Sequence, residues 1–211
     1  MSTPMETLTE LRIQRVMKAL QANNMEAYYV KTAAEVKDFV ANMIPEGAVV
    51  SNGGSVSLSQ TGVLDLLAGG KYQFLDRRTV TGAELDRMFH DALSADWYLA
   101  SSNAVTEEGE LYNVDGNANR VAALTFGPKN VLLVVGCNKI VTDLAAAEER
   151  VRTIAAPVNA IRLDCQTPCA VTGQCADCRS PKRVCCTTVI HSFQRRKGRI
   201  KVLLVGEPLG F

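Results

Sequence analysis

Six cysteines crowd into one short segment, CQTPCAVTGQCADCRSPKRVCC, which spans residues 165–186. Four of them follow the spacing C-x5-C-x2-C-x6-C, namely Cys169, Cys175, Cys178 and Cys185. A C-x2-C pair lets one turn present two thiolates to the same ion, and four thiolates satisfy either a tetrahedral zinc ion or an iron–sulfur cluster. The pattern therefore predicts one metal site on these four sulfurs. Its spacing leaves zinc and iron–sulfur both open.

The remaining cysteines are expected to lie outside that ligand set. Cys186 directly follows Cys185, and two neighbouring residues rarely bind one ion together. We therefore expect that Cys186 and the distant Cys165 do not bind the metal. Cys137 follows an apolar run and is expected to be a buried side chain that only packs in the core. The alternative is that no metal binds, and that the four thiols are reduced and partly buried or form adventitious disulfides. The basic flanks RSPKR and QRRKGRIK are read as a solvated face that balances thiolate charge.

A second group of polar residues has the types and spacing of a ligand site. NGGS places Gly53, Gly54 and Ser55 between an apolar strand pattern and a helical one, where backbone amides can face an anion. A plain turn is the alternative. Further along, Asn113, Asp115, Asn117 and Arg120 fall within eight residues, and Lys139 follows a strong strand pattern. Turn and helix-cap residues would give the same composition.

Alternating helix and strand patterns predict the framework that must hold these residues. The order argues for one α/β domain over residues 1–211 that includes the Cys-rich segment. Its mainly parallel, open sheet is flanked by helices and uses strands near Tyr28, Val49, Phe74, Tyr98, Val134 and Leu203. NAVTEEGELYNVDG suggests a hairpin or an extended excursion, NANRVAALTFG a helix, and AIRL a strand.

Composition excludes several classes of function. Lys and Arg total 23 against 22 Asp and Glu, so the net charge is +1 and offers no general attraction to nucleic acid or to an anionic membrane. Neither a membrane-length apolar run nor a signal-peptide pattern is visible, so a cytoplasmic location is expected. In a reducing cytosol, clustered cysteines favour metal or redox roles over disulfides. The glycine pattern matches neither GxGxxG nor GxxxxGK[ST], so no NAD, flavin or P-loop fingerprint is present.

Five blocks resemble the LUD-domain family, also called the lactate-utilisation protein C family. They are NGGSVSLSQTGVLDLL, GELYNVDGNANRVAALTFGPKNVLLVVGCNKIV, RVRTIAAPVNAIRL, TPCAVTGQCADC and RIKVLLVGEPLGF. The resemblance implies a fold similar to sugar-phosphate isomerases and coenzyme A transferases. It also implies a link to L-lactate oxidation beside iron–sulfur protein partners.

By the same resemblance, ligands bind where the glycine turn faces the polar stretch. The candidate ligand-binding residues are Gly53, Gly54, Ser55, Asn113, Asp115, Asn117, Arg120 and Lys139. Glycine amides and the charges of Arg120 and Lys139 would favour a small anion, a carboxylate or a phosphate ester.

Three functions stay open at this point. The first is a component or accessory protein of the oxidation of L-lactate or a similar hydroxy acid. The second is a stand-alone isomerase- or transferase-like enzyme on a phosphorylated or acyl metabolite, with Glu108 or Asp115 as the catalytic carboxylate and Lys139 stabilising charge. The third is a ligand-sensing or structural module with a zinc site.

Overall fold

The computed structural model describes residues 3–211, which contain ten strands and nine α-helices. The strands are β1 (Glu26–Val30), β2 (Val49–Asn52), β3 (Gln73–Leu75), β4 (Trp97–Ala100), β5 (Ala104–Thr106), β6 (Leu111–Asp115), β7 (Asn130–Gly136), β8 (Ile140–Val141), β9 (Thr187–His191) and β10 (Ile200–Val205). The helices are α1 (Pro4–Ala22), α2 (Ala34–Met43), α3 (Val56–Gln60), α4 (Val63–Ala68), α5 (Gly82–Asp91), α6 (Asn119–Thr125), α7 (Leu144–Arg150), α8 (Ala156–Arg162) and α9 (Pro168–Thr172). No helix in residues 3–211 is long and apolar enough to cross a membrane.

The main sheet has six strands in the order β1-β10-β7-β4-β2-β3, and every neighbouring pair is parallel. It contains all six strands that the sequence predicts, so the α/β fold class is confirmed. Strand β7 shows why its sequence is a continuous apolar run. Val131, Leu133 and Val135 join the core on the α1 side, whereas Leu132 and Val134 join the core on the α2 side. A strand that is covered on both faces needs apolar residues at every position.

A smaller sheet stands beside the main one, in the order β8-β5-β6-β9. Strands β5 and β6 form the predicted antiparallel hairpin, and β9 pairs antiparallel with β6. The predicted helix after the hairpin is α6. This sheet carries the end of β6, and with it Asp115, towards the main sheet's carboxyl edge.

The strand predicted at AIRL is wrong, because Ala160–Arg162 closes α8. Ala160 is buried, whereas the side chain of the next residue, Ile161, is 56% exposed. A buried residue followed by an exposed one occurs in helices as well as in strands, so this short pattern does not distinguish the two. Helices α7 and α8 are joined by a π-helical turn, Val151–Ala155. Such turns often accompany functional sites.

Candidate anion-binding site

A cavity of about 370 Å³ opens at the carboxyl edge of the main sheet. Loops that follow β2, β4 and β7 form its floor, and the end of β6, the end of α8 and the Cys-rich segment form its walls. Six of the residues that line it carry positive charge: Arg77, Arg120, Lys139, Arg162, Lys182 and Arg183. Asp115 is the one acidic side chain among the lining residues that the structure describes. The cavity is therefore cationic, although the chain as a whole is nearly neutral.

Arg120 holds the polar stretch together from the start of α6. Its Nε donates to Asp115 Oδ2 at 3.0 Å. The two terminal nitrogens donate to the Ser101 carbonyl, Asn113 Oδ1, Asn103 Oδ1 and the Val114 carbonyl at 2.6–3.2 Å. A guanidinium has five N–H donors, and all five are in use. Arg120 could contact a ligand directly only by giving up one of these bonds.

Two neighbours of Arg120 also differ from the expected ligand contacts. Asn113 has no exposed surface, so it lies beneath the cavity and supports Arg120 from below. Both oxygens of Asp115 are occupied, one by Arg120 and the other by the backbone N–H of Ala118 at 3.0 Å. A carboxylate held in this way is poorly placed as a catalytic base. We therefore assign a structural role to Arg120, Asn113 and Asp115.

The glycine turn and the polar stretch lie together, as the sequence suggested. Gly53 is buried, and a Cβ there would lie 3.0 Å from Arg120 Cδ and 3.2 Å from the Tyr98 hydroxyl. Gly53 thus allows Arg120 to approach the end of β2. Gly54 and Ser55 line the cavity, and the Ser55 hydroxyl also accepts from the backbone N–H of Leu58 at 3.3 Å. Asn117 is exposed at the cavity's rim.

Lys139 is the central group of the site. Its side chain lines the cavity from the short 3-10 turn after β7, and the residue is only 3% exposed. Nζ donates to Ser57 Oγ at 3.1 Å and to Ser101 Oγ at 3.0 Å, so both partners are hydroxyls and neither is a carboxylate. Burial, and then the charges of Arg150 and Arg120, lower the pKa of Lys139 to about 7. A group of this kind exchanges protons near neutrality.

Arg183 also lines the cavity and has donors that no protein group uses. One terminal nitrogen donates to the Cys178 carbonyl at 2.6 Å, and the other lies 3.4 Å from Cys185 Sγ. Its Nε is buried without a partner. Because only two of its five donors are engaged, Arg183 is better placed than Arg120 to bind an anion.

The cysteines are not gathered around one point. Within residues 3–211, no group of three or more His, Cys, Asp or Glu side chains could hold a metal ion. All seven thiols are free, and Cys169 Sγ instead lies 3.4 Å from the Thr167 hydroxyl. As they are placed, the four predicted ligands do not fit a shared metal. The zinc or iron–sulfur site stays a prediction.

Glu108 lies away from the cavity. It is exposed in the turn between β5 and β6, and its carbonyl accepts from the side chain of Asn23 on the α1 side. Its candidacy as a catalytic carboxylate is not supported by this position.

Sequence reasoning missed several residues of the cavity, of which Arg77, Arg162, Lys182 and Arg183 carry charge. The basic run RSPKR was the available signal for Arg183, but it reads equally well as a solvated face. Ser57 and Ser101 gave no signal, because single serines after strands are common turn residues.

The fold and the cavity define a mixed α/β protein with a cationic pocket at the carboxyl edge of a parallel sheet. The chain belongs to the LUD domain family, whose model matches residues 13–205. A crystal structure of a DUF162 family protein from Deinococcus radiodurans is similar over 95% of this chain and 98% of that one, with a TM-score of 0.51 and 16% sequence identity. At that identity the likeness concerns the fold alone. A search of curated proteins gave no match.

Proposed function

We propose that this LUD-domain protein binds a small metabolite with two or more negative charges, as a component or accessory protein of the oxidation of L-lactate or a similar hydroxy acid. The observation that carries the proposal is Lys139, a buried amino group with hydroxyl partners only, in a cavity lined by five other basic side chains. Family membership supports the link to hydroxy-acid metabolism.

Charge balance favours an anionic ligand. A buried charge is costly unless a partner of opposite sign compensates it. The one acidic side chain of the cavity, Asp115, is already paired with Arg120 at 3.0 Å. Among the side chains that line the cavity, none is left as a carboxylate partner for Lys139 and Arg183, and a bound carboxylate or phosphate would supply one.

The size of the cavity agrees with a metabolite. At about 370 Å³ it lies within the range of about 300–1,000 Å³ that small-molecule sites occupy. The positive charge comes from several side chains of different segments, among them Arg77 and Arg183, which suits a ligand with more than one anionic group. Phosphate esters and dicarboxylates have this character.

A second candidate function, an isomerase- or transferase-like enzyme, is favoured by one observation. A lysine with a pKa of about 7 can take up and release a proton at neutral pH, which general acid–base catalysis requires. In that case Lys139, and not Glu108 or Asp115, would be the group that transfers the proton.

Calorimetric titration tests the anion site. We expect inorganic pyrophosphate to bind more tightly than inorganic phosphate, and uncharged glycerol not to bind. Arg183→Ala should weaken pyrophosphate binding roughly tenfold or more, since a charge-assisted contact contributes about 1.5–3 kcal/mol. Arg179→Ala is the matched control, because Arg179 is exposed in the same segment and does not line the cavity. Equal affinity in both variants, or no binding of either anion, would contradict the proposal.

A further inference from the structure

We propose that Lys139 forms an imine with a small carbonyl compound that carries an anionic group, an inference that rests on the proposed anion site. The class includes 2-oxo acids, the products of 2-hydroxy-acid oxidation, and phosphorylated ketones or aldehydes. The shared chemistry is a carbonyl carbon next to a carboxylate or phosphate group.

The hydrogen bonds of Lys139 suit a neutral amine. An uncharged amino group has two hydrogens and one lone pair, whereas an ammonium has three hydrogens. The two hydroxyls of Ser57 and Ser101, at 3.1 and 3.0 Å, accept two hydrogens. The lone pair then stays available for a carbonyl carbon in the cavity.

The surroundings of the amine favour this neutral form. Arg120 and Arg150 are the charged neighbours that lower its pKa, and burial contributes more than either. Relative to an ordinary lysine, a pKa of about 7 increases the neutral fraction at pH 7 on the order of a thousand-fold. Burial and a neighbouring cation are the recognised ways in which proteins activate a lysine nucleophile.

The step balances without an oxidant or a reductant. The amine nitrogen attacks the carbonyl carbon, a C–N bond forms, and the carbonyl oxygen takes the proton that the nitrogen loses. The resulting hydroxyl accepts one further proton and leaves as water, which gives the protonated imine. Ser57 and Ser101 are placed to pass these protons, and Arg183 is placed to hold the anionic group.

Reductive trapping tests the proposal on the full chain. The protein is incubated at pH 7 with sodium cyanoborohydride and either pyruvate or dihydroxyacetone phosphate, and the labelled lysines are located by peptide mass mapping. We expect one adduct per chain, at Lys139, formed on the order of a hundred-fold faster than at the exposed Lys129. Comparing pyruvate with dihydroxyacetone phosphate identifies whether a carboxylate or a phosphate is preferred, and acetone is the uncharged control.

Variants of Lys139 distinguish the imine proposal from the anion-site proposal. Lys139→Met and Lys139→Arg should both lose the adduct, with circular dichroism confirming that each is folded. Calorimetric binding of pyruvate or dihydroxyacetone phosphate without an adduct at Lys139 would overturn the imine and leave the anion site standing. Equal labelling of Lys139 and Lys129 would also overturn it. If neither compound labels Lys139, the imine proposal is overturned, and the pyrophosphate titration decides the anion site separately.

Discussion

Replacing Lys139 by Met should stabilise the protein. Met has nearly the same length and removes a buried charge that has no carboxylate partner. A pKa of about 7 instead of 10.5 means that burial disfavours the ammonium by about 5 kcal/mol. Met also gives up the hydrogen bonds to Ser57 and Ser101, which contribute about 1 kcal/mol each. We therefore expect the free energy of unfolding to increase by about 2–3 kcal/mol at pH 6.

The stability advantage of Lys139→Met over wild type should shrink as the pH rises. Below pH 7 both the native and the unfolded chain carry the proton on Lys139, so the full penalty is present. Between about pH 7 and 10 the native chain has released it and the unfolded chain has not, so wild-type stability rises relative to the variant by about 1.4 kcal/mol per pH unit. The charged groups that act on Lys139 are the guanidinium groups of Arg150 and Arg120, and both disfavour its charged form.

Urea denaturation of both proteins at pH 6, 7, 8 and 9 measures this difference. The m-values should agree, which shows that the two transitions expose the same surface. A variant that is less stable than wild type at every pH, or a difference that does not change with pH, would show that Lys139 is not a desolvated cation.

Three further predictions follow from the packing around the cavity and from the cysteines. Arg120→Lys should destabilise the protein by about 3 kcal/mol in thermal unfolding, because a single ammonium cannot replace five guanidinium hydrogen bonds; a change below about 1 kcal/mol would contradict the role given to Arg120. Gly53→Ala should destabilise by about 1–3 kcal/mol, because its Cβ would press on Arg120, whereas Gly54→Ala, whose Cβ would lie 3.6 Å from Arg77, should be nearly neutral. Protein made anaerobically should contain zinc or iron that is lost when Cys175 and Cys178 are changed to Ser, with a brown colour indicating a cluster; absence of both metals would refute the metal site.

The sequence predicts the sheet well because its two central strands are short runs of almost continuous apolar residues. NVLLVVG and IKVLLVG are typical of parallel strands that are covered on both faces. The order of the strands has no such signal. The last strand, β10, inserts between β1 and β7, far from its neighbours in the sequence.

The candidate site was predictable where it depends on strand ends. Gly54 and Lys139 both follow parallel strands, so they meet at one edge of the sheet. The number of hydrogen-bond partners of each side chain was not predictable. Nothing in NANRV reveals that all five donors of Arg120 are used internally, and nothing in RSPKR reveals that Arg183 keeps a buried Nε unpaired. Those facts depend on contacts between segments that are far apart in the chain.

The most direct test of the account is the pKa of Lys139 itself, with and without an anion. Lysine labelled with ¹³C at the ε-carbon allows each side chain to be titrated by NMR, and Lys139→Met assigns the resonance. We predict a pKa near 7 in the free protein and a higher pKa when inorganic pyrophosphate is bound, because a nearby anion favours the charged amine. A resonance that titrates near 10.5 in the free protein, or one that pyrophosphate does not shift, would contradict an anion site centred on Lys139.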